Sequence, residues 1–381
     1  MSLSWGEFNS KLISNAKKNG VPVSGTFELT SRCNFRCKMC YVCSMANDNE
    51  AADAELTAEQ WLQIGREARD AGLIFLTLTG GEVFLRKDFM KIYEGLAEMG
   101  FNITIFSNAS LITGEKAEWL SKIPPSKLSA TLYGASNETY EKITGCKDGF
   151  DRTIRGLDYL KSFGVDIEVK TTVVEGNYRE FEKLVEITDK YGTGLGIVNY
   201  ISPRRVGLGT DPVGNRLSPE VLAMYEEQVE KFNMKRYRES RGDTAQIDHD
   251  TMIEQTTLVK SNKQSYNTKK SAFNCMAGQC GFWITCNGHM TPCGLMEAPF
   301  SEPLQLGFLE SWNVLQKECL NVTKCVECTE CTKRDNCMVC PARLMTETGH
   351  FDKPAKYLCA LAESRIALKE GRSADLLVAK A

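Results

Sequence analysis

The sequence predicts an α/β fold, a partial (β/α)6 TIM barrel followed by a small cysteine-rich domain with a β-hairpin. Three observations predict it. Six β-rich runs recur through the first half of the chain with helical patterns between most of them, the βαβ repetition of a parallel sheet covered by helices. The residues with chemical potential fall where those runs end, the rim on which such barrels collect their chemistry. All of the 16 cysteines except Cys146 lie in two groups, residues 33–43 and 275–359.

Residues 1–22 read as an N-terminal extension; they lack the basic start and apolar middle of a secretion signal. The first strand is VSGTFELT from Val23, and the cysteine stretch TSRCNFRCKMCYVCSM follows it directly. TAEQWLQIGREARDAG is a helix with Thr57 as N-cap and Gly72 as stop. Strands two to four are LIFLTLTG from Leu73, NITIFSNA from Asn102 and LSATLYG from Leu128. FDRTIRGLDYLKSFG is a helix ending at Gly164, and DIEVKTTV from Asp166 and GLGIVNYI from Gly194 complete the six strands. Their nearly continuous apolar character predicts burial on both faces. The barrel is thus assigned to 23–202. Residues 203–271 form a bridging helical region in which Ser218 caps LSPEVLAMYEEQVEKF and Pro219 takes its first position. Arg204 and Arg205, at the start of that region, read as solvated arginines or as holders of a substrate carboxylate. In 272–381, FWITCNGHMTPC is a strand, an Asn287-Gly288 turn and a return strand, and the chain closes with a helix.

Composition narrows the function. The formal net charge of -3, without blocks of one sign, offers no basic stripe for a nucleic-acid backbone. No apolar run approaches the roughly 18 residues of a membrane span. A cytoplasmic protein with no membrane or nucleic-acid partner is expected. Its cysteines then read as thiolate ligands rather than disulfides, and with only 3 histidines all-thiolate sites are the easy ones to build.

Cys33, Cys37 and Cys40 can hold three corners of a 4Fe-4S cube and leave the fourth iron for a substrate atom. A fourth ligand would close the cube as in electron carriers, so Cys43 reads as a free thiol, as does Cys146. CNFRCKMCY, with Tyr41 as the aromatic after the last cysteine, resembles the three-cysteine loop of the radical S-adenosylmethionine superfamily. The resemblance implies that the open iron binds S-adenosylmethionine, whose reductive cleavage yields a 5′-deoxyadenosyl radical that abstracts hydrogen from the substrate. Gly80, Gly81 and Glu82, about forty residues on, resemble the family's Gly-Gly-Glu motif. The glycines would let the backbone approach the methionine moiety, and Glu82 would take its ammonium protons. By the same resemblance Asn108 stands near the cofactor and Thr131 near its ribose.

The second cysteine group contains pairs two residues apart, which zinc ribbons also use. Its fuller pattern, Cys275, Gly288, Cys293 and then Cys328, Cys331 and Cys337, resembles the SPASM extension, which carries two auxiliary 4Fe-4S clusters. That resemblance assigns Cys275, Cys293 and Cys340 with Cys280 to the first auxiliary cluster, and Cys328, Cys331, Cys337 and Cys359 to the second. Two departures stand: Cys337 and Cys340 are separated by two residues rather than three, and Cys325 adds a competing thiolate. Cys286 and Cys319 read as structural.

SATLYGASNETYEKITG and the CPA…TETG ending look most like SPASM enzymes that modify ribosomally made peptides. The implied reaction is an oxidative crosslink, a thioether or carbon-carbon bond, in a peptide or protein, with electrons from a flavodoxin- or ferredoxin-type reductant. The 32 residues before Cys33 are too few for a folded leader-recognition domain, so a separate leader-binding partner, or a substrate recognised without one, is expected. Sulfatase maturation is a second reading, but Gly294 stands where those enzymes have an aspartate. Tetrapyrrole side-chain chemistry is a third. A non-catalytic iron-sulfur or zinc protein is the alternative of another class, distinguished by whether the reconstituted protein releases 5′-deoxyadenosine.

Overall fold

A computed structural model describes residues 4–42, 44–205, 213–241 and 271–372; Cys43 and much of the bridging region lie outside them. All six expected strands are present: β1 Ser24–Glu28, β2 Phe75–Thr79, β3 Asn102–Ser107, β4 Lys127–Thr131, β5 Ile167–Thr172 and β6 Leu195–Val198. They pair in chain order and in parallel, with Ser24 opposite Phe75, Phe75 opposite Asn102, Thr104 opposite Lys127, Leu128 opposite Ile167 and Val169 opposite Leu195. The hairpin strands β7 Gly281–Ile284 and β8 Met290–Thr291 extend the same sheet, because β7 pairs in parallel with β1. The cysteine-rich region is therefore joined by strand pairing to the barrel edge that launches the first cysteine loop.

Helices cover the sheet from α1 Trp5–Asn19 through α2 Ala58–Asp70, α3 Phe89–Glu98, α4 Gly114–Lys122, α5 Asn137–Thr144, α6 Gly149–Ser162 and α7 Phe181–Asp189. The signals for α2 act as expected: Thr57 accepts from the Gln60 amide while the Gln60 side chain accepts from the Thr57 amide. The α8 helix Pro219–Arg241 begins where Ser218 and Pro219 place it. Among the described residues no helix is long and apolar enough to cross a membrane.

One expectation needs correction. The strands are not buried on both faces. Phe27, Leu76, Leu78, Ile103, Ile105, Leu128, Ala130, Ile167 and Val169 are buried, and Phe27 stacks on Trp61 of α2. Alternate positions point the other way, and Thr77, Phe106, Thr131, Lys170 and Val198 remain partly or largely exposed. A curled open sheet has an inner face that lines a mouth rather than a core, which is why helix-facing positions are apolar and inner ones mixed.

Candidate functional site

The first cysteine loop leaves the C-terminal end of β1 and is pinned on both sides. Arg32 donates to both Glu55 oxygens at 2.7 and 2.9 Å, and the Thr30 hydroxyl bonds the same carboxylate. Buried Arg86 holds the carbonyls of Leu29 and Leu56 at 2.7 and 2.9 Å. The amides of Arg36 and Lys38 donate to Thr144 and Ile143 at the end of α5. Cys33 and Cys37 are buried, and Cys40 is half-buried. Burial pushes the Cys37 thiol well up, and the neighbouring Cys40 and Cys33 sulfurs push it further. A buried Cys37 thiolate among such neighbours calls for a cation to compensate it. The donor set therefore fits an iron-sulfur cube, which gives each thiolate its own iron.

Hydrogen bonds also reach the sulfurs. Asn108 Nδ2 lies 3.7 Å from Cys33 Sγ, the Phe35 amide lies 3.4 Å from it, and the Tyr133 hydroxyl donates to Cys37. Asn108 also donates to Asn34 Oδ1 at 2.9 Å and accepts from Ser110, whose hydroxyl accepts from Asn34. The strand-three asparagine is thus a brace of the cysteine loop. Asn34 and Ser110 were missed from sequence, where nothing but proximity in the fold marks them.

The Gly-Gly-Glu segment is zipped to the same loop. Gly81 and Glu82 donate their amides to Thr30 and Arg32 carbonyls at 2.7 and 2.9 Å. A Cβ on Gly80 would lie 2.4 Å from the Thr30 oxygen, and one on Gly81 would lie 2.2 Å from the Arg32 oxygen. Bare backbone is what lets these chains touch. Glu82 is fully buried and accepts from the Phe84 amide at 3.1 Å, the Ser107 hydroxyl at 2.8 Å and the Asn108 amide at 2.7 Å. Burial raises its carboxyl above the ordinary range, against the pull of those donors. Its observed partners are thus the ends of β2 and β3.

Thr131 sits half-buried opposite Lys170 on the inner face of the sheet, where the Lys170 ammonium lies 4.8 Å from the Phe106 ring centre and 3.0 Å from Glu168. Tyr41 lies beside Glu28, and its carbonyl accepts from the Arg205 amide at 3.3 Å. Arg205 corrects the sequence reading: it is neither solvated nor offered to a carboxylate ligand. Its guanidinium grips the buried Glu28 carboxylate at 2.8 and 2.9 Å and reaches the Gly294 carbonyl at 3.1 Å, while the Trp283 indole donates to Glu28 at 2.8 Å. This cluster ties the β1 end, the cysteine loop and the residue after Cys293 together.

In the cysteine-rich region two further thiol groups form. Cys275, Cys293 and Cys340 lie within one another's electrostatic reach, and burial pushes Cys293 up to about 12. Cys325, Cys328, Cys331, Cys337 and Cys359 likewise surround one another, five thiols where the sequence reading used four. Among the described residues no three Cys, His, Asp or Glu side chains are arranged to hold a single metal ion.

Residues 27–188 match the family model described as the Radical SAM superfamily. The chain is 24% identical over 296 residues to the sporulation killing factor maturation protein SkfB of Bacillus subtilis, covering 77% of this chain and 65% of that protein. It is 23% identical over 334 residues to the AdoMet-dependent heme synthase of Methanosarcina barkeri, covering 87% of this chain and 94% of that one. The fold is shared with Streptococcus suis SuiB bound to S-adenosylmethionine, with a TM-score of 0.66 and 19% identity over 93% of this chain and 83% of that one. The chain therefore carries the domain of a radical SAM enzyme at residues 27–188, with a cysteine-rich region after it. That domain implies S-adenosylmethionine and a 4Fe-4S cluster.

Proposed function

We propose that this chain is a peptide maturase that oxidatively crosslinks a ribosomally made peptide. The observation that carries the reading is the continuity of the sheet: β7 pairs with β1, so the hairpin that leads to Cys293 is built onto the edge from which the first cysteine loop leaves. S-adenosylmethionine bound at the first site supplies the 5′-deoxyadenosyl radical. The chain's own contribution is to order that site from Asn108, Glu82 and Arg32, to present the inner face with Thr131, Lys170 and Phe106 to a substrate, and to hold redox-active groups nearby. Two auxiliary 4Fe-4S clusters, on Cys275, Cys293 and Cys340 and on the five-thiol group, fit a net oxidation: one hydrogen atom and one proton leave the peptide, and one electron goes to an auxiliary cluster. SkfB is by name a maturation protein, and SuiB has been solved with its precursor peptide SuiA, which supports a peptide substrate here. A separate leader-recognition protein, a flavodoxin- or ferredoxin-type reductant and a cytoplasmic setting complete the reading.

Anaerobic incubation with S-adenosylmethionine, a reductant and a short peptide encoded beside this gene should release 5′-deoxyadenosine and leave the peptide lighter by two hydrogens, read by mass spectrometry. The end-to-end match to the heme synthase favours one second reading, tetrapyrrole side-chain decarboxylation. Release of 5′-deoxyadenosine with loss of carbon dioxide from an iron-tetrapyrrole, and an unchanged peptide, would establish it instead.

Cluster content is a separate expectation. Three cubes give about twelve irons per chain. Iron near four with stoichiometric zinc would remove the auxiliary clusters from the proposal. Replacing Cys33, Cys37 and Cys40 together should abolish cofactor cleavage and leave about two-thirds of the iron, since the auxiliary thiols come from other segments of the chain. Loss of all iron would show the sites to be interdependent.

A further inference from the structure

We propose that Asn108 tunes the reduction potential of the cluster on the first cysteine loop by donating a hydrogen bond from its side-chain amide to the Cys33 sulfur. The inference rests on the reading above that this loop holds the cube that binds S-adenosylmethionine. A carboxamide has one acceptor end and one donor end, and the two are told apart by what they face. One end of Asn108 takes the Ser110 main-chain N–H at 2.9 Å and the Ser110 hydroxyl at 2.7 Å. A main-chain N–H can only donate, so this end is the oxygen. The nitrogen end is thereby turned toward the loop, where one of its hydrogens goes to Asn34 Oδ1 at 2.9 Å and the other faces Cys33 Sγ at 3.7 Å. The Asn34 amide donates in turn to the Ser110 hydroxyl at 2.8 Å, which closes a ring of three side chains beside the sulfur.

Asn108 is held at its other polar atoms as well. Its main-chain amide donates to Glu82 at 2.7 Å, and its carbonyl accepts from the Thr153 hydroxyl at 3.2 Å. Both Asn108 and Cys33 are buried. An asparagine at a strand end is ordinarily a turn former, and its bonds to Ser110 are of that kind. That role uses the oxygen alone and leaves the two contacts of the nitrogen without a purpose. An electron added to a cube increases the negative charge on the sulfurs that ligate it, so an N–H already aimed at one of them stabilises the reduced form more than the oxidised form. Hydrogen bonds to the sulfurs are among the levers that set such potentials. The Phe35 amide, 3.4 Å from the same sulfur, belongs to the main chain, whereas the Asn108 donor is a side chain that a substitution can remove. Its effect is to let a flavodoxin- or ferredoxin-type carrier of a given potential deliver its one electron to this loop more completely.

The test follows the full-length reconstituted chain by electron paramagnetic resonance during an anaerobic redox titration. The first cluster is identified as the one whose reduced signal changes when S-adenosylmethionine is added to a parallel sample. Asn108→Leu replaces the amide by a side chain of similar size without a donor. Its first-cluster midpoint should move to more negative potential, the reduced-to-oxidised ratio at a fixed potential falling by about two- to tenfold, the effect of one hydrogen bond. Tenfold corresponds to about 59 mV for a one-electron couple. Asn34→Ala removes one acceptor of the same amide but leaves the Asn108 oxygen on Ser110, so it should lower thermal stability without moving the midpoint. An unchanged midpoint in Asn108→Leu overturns the proposal. So does an equal shift in Asn34→Ala, which would assign the effect to the fit of the loop rather than to the donor. Should Asn108→Leu fail to fold, as judged by circular dichroism, Asn108→Asp keeps the acceptor toward Ser110 and loses both N–H donors: its midpoint should fall too, and an unchanged one overturns the proposal. A wild-type chain that holds iron but gives no signal responsive to S-adenosylmethionine overturns the assignment of the cluster to this loop, and this inference with it.

Discussion

Replacing Arg205 by alanine is expected to destabilise the protein by about 3 to 5 kcal/mol, the range for removing one partner of a buried ion pair. Glu28 is almost wholly buried at the end of β1, and its two oxygens are matched one to each guanidinium nitrogen, with the Trp283 indole as the remaining donor. Without the guanidinium, the carboxylate keeps the indole alone. The Gly294 carbonyl loses its donor as well. The loss comes from leaving a buried charge uncompensated rather than from the intrinsic strength of the pair, and that distinction is measurable. Glu28→Gln combined with Arg205→Met removes both charges and should recover much of the deficit in a chemical-denaturation cycle. A single variant within about 0.5 kcal/mol of the wild type, the ordinary range of a surface substitution, would show that the pair does not hold the loop, β1 and the hairpin together.

This pair also shows where sequence reasoning stops. Six strands, the helix caps at Thr57 and Ser218 and the Asn287-Gly288 turn were all legible, because each depends on local chemistry: hydrophobic runs, capping hydroxyls and residues tolerant of tight turns. The grouping of Cys33, Cys37 and Cys40 was legible for the same reason, since eight residues of chain cannot carry them far apart. Arg205 and Glu28 are separated by 177 positions, and nothing local tells an arginine after a strand whether it will meet water or a carboxylate. Asn34, Ser110 and Asn108 likewise meet only because β3 ends beside the loop that follows β1. The burial pattern of the strands was misread on a related account: an apolar run gives no sign that one face of a curled sheet will line a mouth.

Glu82→Gln is expected to lower the stability of the cofactor-free protein by about 1 to 3 kcal/mol, the cost of stranding a buried donor. An amide cannot reproduce what the carboxylate does here. If its nitrogen takes the place of Oε2, it faces the Asn108 amide, a donor against a donor. If it takes the place of Oε1, it faces the Phe84 amide and the Ser107 hydroxyl. The hydroxyl can rotate to accept, but the Phe84 amide cannot, so either orientation leaves a buried N–H unpaired. Because the Asn108 side chain reaches Cys33 and Asn34, slack at its main chain passes into the cysteine loop. S-adenosylmethionine binding, measured by calorimetry on the reconstituted enzyme, should therefore weaken together with the thermal stability of the cofactor-free chain. Weakened binding with unchanged stability would identify Glu82 as a direct partner of the methionine ammonium, as its motif implies, whereas a loss in both measurements is what its three observed donors require.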